Sequence, residues 1–112
     1  MRADEVLVQA HLSVLRSLRD RLEEKGYRYS EDVAGVSKGS LVYARWFVEH
    51  ALERAPLLPL DKLARWTGFL QGVLANAGFL DVDMERDRTR GIFESAYKEL
   101  GMKPVEKQGG AV

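Results

Sequence analysis

DEVLVQAHLSVLRSLRDRLEEKGY, Asp4 to Tyr27, is the stretch whose reading decides the fold. Val8, His11, Leu15, Leu18 and Leu22 recur at alternating spacings of three and four, with Leu7 and Val14 alongside. Residues so spaced share one face of an α-helix, so the stretch predicts an amphipathic helix from about Asp4 to Lys25. Its end is also written in the sequence. A left-handed glycine at Gly26 would place Leu22 and Tyr27 as the apolar pair that packs across a Schellman stop. The same relation recurs at Leu74, Gly78 and Phe79, and again at Tyr97, Gly101 and Met102. Three matching stops predict an all-α chain.

Working outward, RYSEDVAGVSKG (Arg28–Gly39) is polar and broken by glycine, and reads as a loop. A second helix is expected from about Ser40 to Ala55. Pro56 and Pro59 bracket a short link, with Pro59 suited to the first turn of a third helix and Asp61 close behind, where the helix dipole favours an acid. That helix should run to Ala77. Asp83 is the expected N-cap of a fourth helix ending near Leu100. Pro104, Gly109 and Gly110 then mark a tail. The expected organisation is one bundle-like four-helix domain over residues 1–103, followed by a flexible C-terminal segment over 104–112. The string ARW occurs at Ala44–Trp46 and at Ala64–Trp66, but the flanks do not align and no duplication is inferred.

Composition narrows the function classes. The 112 residues carry 17 basic and 17 acidic side chains, so the bulk positive charge of a nucleic-acid binder is missing and nucleic acid is not an expected partner. With no cysteine, thiol catalysis, disulfides and thiolate metal sites drop out together. MRADEVLVQA mixes charges into its apolar residues and does not read as a signal peptide. No run of about 18 uncharged apolar residues occurs, so no membrane span is expected and a cytoplasmic address fits. No nucleophile stands with a base, no carboxylates show metal-ligand spacing and no cofactor fingerprint is present. The chain therefore reads as a non-enzyme without a cofactor. His11 and His50 lack a local HxxxH or HxxE partner. GVSKGS (Gly35–Ser40) offers amides, a lysine and hydroxyls to an anion, but it lacks the order of a phosphate-binding loop and reads as an N-cap behind a turn.

The candidate binding residues come from three segments. RWTGFLQGVL (Arg65–Leu74) projects Leu63, Trp66, Thr67, Leu70, Val73, Leu74 and Ala77 onto one arc and Ala64, Gly68, Gly72 and Ala75 onto the other, with Arg65, Gln71 and Asn76 among or beside them. Each interior glycine costs a helix about 1 kcal/mol relative to alanine, so something must need the space. Close packing of helices, within the fold or between two chains, would use it; so would a ligand groove. LVYARWFVEHAL sets Tyr43, Trp46 and His50 on the flank of a second helix, where aromatics either anchor a partner or complete a core. DVDMERDRTRGIF (Asp81–Phe93) is densely charged. Glu85 and Arg86 lie at the margins of its apolar face and need partners, with Arg65 a candidate for Glu85, while Asp87 and Arg90 suit a weak local pair.

RWTGFLQGVL followed by DVDMERDRTRGIF resembles small proteins encoded in bacteriophage and prophage genomes, in which an RWxGFxQGVL-like helix precedes an ERDxTRPxF-like one. The likeness covers about Leu60 to Tyr97, and Gly91 stands where that pattern usually has proline. It implies a phage accessory or host-takeover context and no mechanism. The leading expectation is an inhibitor or accessory factor acting by protein–protein contact, with a host protein or a second copy as partner. The spacing of residues 8, 11, 15, 18 and 22 fits a two-helix seam of a homodimer, or closure onto the same chain. The other reading is a small-ligand binder, for instance a nucleotide-sequestering oligomer, with Arg65, Gln71, Arg86 and Arg90 on phosphate or base edges and Trp46 or Trp66 stacking.

Overall fold

The computed structural model describes residues 4–101. The expected tail over 104–112, and Met102 of the third glycine stop, lie outside the described residues. Four helices follow one another: α1 (Glu5–Glu24), α2 (Leu41–Arg54), α3 (Leu60–Asn76) and α4 (Val82–Glu99), with a single 3-10 turn at Ala55–Leu57 after α2. No strand occurs among the described residues, and the chain is an all-α four-helix domain.

The stripe of α1 is the centre of the molecule. Val8, Val14, Leu15, Leu18 and Leu22 are almost fully buried, and α1 packs against α2, α3 and α4. The seam that a second copy could have covered is closed by the chain's own helices. α2 adds Ala44, Val48 and Ala51, and α3 adds Leu63, Leu70 and Leu74. From α4 only the half-buried Ile92 and Phe93 pack against this cluster. α4 packs mainly on α1, and its packing on α3 is slight.

The stops at Gly26 and Gly78 form as expected, and Gly101 has the expected positive φ. Gly26 (φ 95°) lets the Tyr27 N–H donate to the Leu22 carbonyl at 3.0 Å and its own N–H donate to Glu23 at 2.9 Å. Gly78 (φ 76°) does the same at the end of α3, where Phe79 N–H meets the Leu74 carbonyl at 2.8 Å. Gly101 (φ 75°) donates to Lys98 at 3.0 Å. Tyr27 and Phe79 then fold back onto the core. Ser40 caps α2, accepting from Tyr43 N–H at 3.1 Å, and its hydroxyl donates to the Ser37 carbonyl at 2.8 Å.

Several sequence expectations need correction. The cap of α4 is Asp81, whose extended backbone lets its carboxylate accept the Met84 N–H at 2.9 Å. Asp83 sits inside the first turn, where it faces the positive end of the dipole but caps nothing. Pro59 is the residue before α3 rather than within its first turn. Ala77, placed on the core arc, is the exposed C-cap, because the helix stops there and the chain turns away.

Glycines at these stops and glycines inside helices should respond oppositely to alanine. Gly26→Ala or Gly78→Ala should lose about 1 kcal/mol or more, since a Cβ disfavours positive φ. Gly91, inside α4 with nothing within 4 Å of a built Cβ, should gain about 1 kcal/mol as Gly91→Ala. Urea unfolding of the three variants measures both signs.

Candidate functional site

α3 places the candidate residues because its two sides face different neighbours. Counting 100° per residue from the buried Leu63 and Leu70, Trp66 and Phe69 turn toward α2, Gln71 and Ala75 toward α4, and Gly68 and Gly72 point outward. Gly68 and Gly72 are exposed, and a Cβ built on either would meet nothing within 4 Å. Among the described residues, therefore, no close helix packing uses these glycines. Arg65 shares the outward side, is 73% exposed and, among the described residues, pairs with Asp61 at 3.9 Å.

On the α2 side the aromatic residues stack on one another. The ring of His50 lies between the two indoles, 4.9 Å from Trp46 and 5.6 Å from Trp66, with interplanar angles of 13° and 19°. Tyr43 meets Trp46 at 5.4 Å with its ring tilted by 44°, and Lys62 sits 5.8 Å over Trp66. Phe47 bridges to Trp66 at 5.5 Å and to Phe69 at 5.0 Å. Phe69 ends this band with 44% of its surface exposed, beside the glycine face. The flank of α2 is thus half core and half surface.

On the α4 side the centre is Glu85, which is 7% exposed. Gln71 donates to it at 3.0 Å, Arg88 donates through Nε and Nη2 at 3.1 and 2.8 Å, and Arg21 of α1 stands at 3.5 Å. The expected partner Arg65 is not among them, because it projects from the opposite arc of α3. A buried carboxylate needs such donors, and these tie α1, α3 and α4 together. Next to it opens a cavity of about 310 Å³, lined by Gln71, Gly72, Ala75, Leu80, Val82, Glu85 and Arg86. Arg86, expected to be partly buried, is 63% exposed and only 3.8 Å from Asp83, since the first turn of α4 leaves its side chain on the rim. Arg90 forms the expected local pair with Asp87 at 3.3 Å, away from the cavity.

The structure therefore brings together Gln71, Gly72, Glu85 and Arg86 at one place and Tyr43, Trp46 and Trp66 at another. Gly68 and Arg65 lie on the outer face between them, and Arg90 stands apart. Two buried polar groups carry more of the architecture than the sequence reading assigned. Arg45 is 3% exposed and donates to Glu23 and, at 3.0 Å, to Glu49, with the Tyr29 ring 5.8 Å from its guanidinium carbon. Burial opposes its charge, but the hydrogen bonds and charges of Glu23 and Glu49 outweigh burial and raise its pKa. The Arg45 hydrogen bond in turn holds the Glu23 carboxyl below its ordinary range. A signal for this was present in the i, i+4 pair Arg45–Glu49 set among the apolar residues of α2.

His11 is the second group. Its Nδ1 lies 3.0 Å from Thr67 Oγ1, whose hydroxyl donates to the Leu63 carbonyl at 3.0 Å. The Thr67 proton is already committed, so His11 Nδ1 carries the other proton and donates. Phe93 meets the ring at 4.8 Å, edge to face. Among the described residues no three His, Asp or Glu side chains gather as a metal site, and no helix is long and apolar enough to cross a membrane.

The site thus belongs to a small four-helix domain with a glycine-faced helix, and no family can be attached to it by likeness. No protein-family model matches the chain, and no curated protein or solved structure matches it significantly.

Burial lowers the His11 pKa from its ordinary 6.5. The unfolded chain takes up the proton more readily than the folded one, so stability is full above about pH 6.5 and falls as pH drops through that value toward the lowered one. Urea unfolding at pH 7.5 and at about pH 5.5 should show this loss, and His11→Met should remove that component of it. Glu85→Ala, which deletes hydrogen bonds to a buried charge, should cost about 1–3 kcal/mol at neutral pH in the same assay.

Proposed function

We propose that this protein is a non-enzymatic interaction module, of the phage accessory or inhibitor kind, that acts in the cytoplasm of a host cell by receiving an α-helix of a partner protein on the outer face of α3. The observation that carries the reading is the open space at Gly68 and Gly72. Two interior glycines cost α3 about 2 kcal/mol of helix propensity, and the described residues of the fold leave their room unused. A backbone approaching from outside would use that room, because small residues let helices come close. Phe69 on one side and the cavity beside Gly72 on the other supply an apolar anchor and a recess, the pairing expected of an energetic centre in an interface.

The nucleotide-binding reading is less well supported. A base stacked between Trp46 and Trp66 would need the space that the His50 ring fills. Arg65, Arg86 and Arg90 stand near Asp61, Asp83 and Asp87, and Gln71 is engaged with Glu85, so the four do not converge on one phosphate.

A photo-crosslinking side chain in place of Phe69 should capture one discrete protein in the native host, while the same group at the exposed Ser13 of α1 should not. Gly72→Leu should abolish that adduct while the melting temperature stays level or rises. Equal capture at both positions, or capture that survives Gly72→Leu, would remove the proposal.

A further inference from the structure

We propose that α4 is an exchangeable helix, and that a second copy of this chain can place its own α4 on α1 in a reciprocal dimer. Three observations support this, none of which uses the outer face of α3. First, none of the residues of the main buried cluster comes from α4, so α1, α2 and α3 with the following Leu80 hold the core among themselves. Second, α4 docks on α1, far away in sequence, and only slightly on α3, to which it is tethered. The contacts that seat it include Phe93 on His11, Glu85 with Arg21 and with Gln71, and the packing of Ile92 and the buried Ala96, and the same helix from another copy could make them identically. Third, Ala77–Asp81 is a short connection turned back by Gly78 at φ 76°.

In such an exchange the contacts of α4 are conserved, so the connection decides the balance between monomer and dimer. The tight turn needs the left-handed conformation at residue 78, which glycine adopts without penalty and a β-branched residue resists. An extended connection, by contrast, suits valine. This is also how a second copy could engage the stripe of α1, which is otherwise closed within the chain.

The test compares wild type with Gly78→Val, each refolded from urea at low and at high concentration and examined by sedimentation. Valine should raise the association constant by about tenfold for each turn it disfavours. A mixture of isotope-labelled and unlabelled chains, refolded together, should then give isotope-filtered nuclear Overhauser contacts between His11 of one chain and Phe93 of the other. A Gly78→Val protein that only melts lower and stays monomeric at every concentration overturns the proposal. So does a dimer in which the His11–Phe93 contacts remain within one chain.

Discussion

The rest of the structure depends on the burial of one face of α1 from three directions. Fully burying a leucine or valine is worth about 1.5–3 kcal/mol, and α1 buries five such side chains almost completely. Each other helix is positioned by what it contributes to that face. The one polar member of the stripe, His11, is accommodated because Thr67 offers an oxygen at the point where α1 meets α3, and Phe93 closes the ring from α4. A buried imidazole without such a partner would cost about as much as a leucine gains.

Two charged groups fix the relative placement of the helices more narrowly than the apolar core would. Arg45 joins α2 to the end of α1 through Glu23, and Glu85 joins α4 to both α1 and α3. Apolar contacts tolerate sliding, whereas a carboxylate gripped by several donors has one geometry. With its inner face and both flanks so engaged, α3 still has an outer face made of glycine, alanine and arginine that nothing among the described residues covers. The contrast between α3 and α4 follows from the same packing. α3 contributes to the core and leaves its outer face uncovered by the described residues, while α4 packs along α1 with Ile92, Phe93 and the buried Ala96 and is tied at its start through Glu85.

Much of the helical layout was legible in the sequence because its signals are local. The stripe of α1 and the stops at Gly26, Gly78 and Gly101 depend on residues within a turn or two of each other, and the backbone obeys them. The cap of α4 was misplaced by two residues because Asp81 and Asp83 are both good caps, and the choice depends on where Leu80 must be buried. The outward direction of Gly68 and Gly72 was also readable from periodicity, although that no neighbour fills the space beside them was not.

The string ARW marks the boundary between what the sequence alone determined and what only the tertiary structure decided. The periodicity around it places both copies on helices, with Trp46 on a flank and Trp66 on the core arc. Yet Arg45 is buried between two carboxylates and Arg65 is exposed, and the two indoles, twenty residues apart, enclose one histidine. Identical local residues carry identical propensities. Their burial and partners depend on which helix packs against which, and that is settled by the summed burial of distant side chains, a quantity no short segment contains.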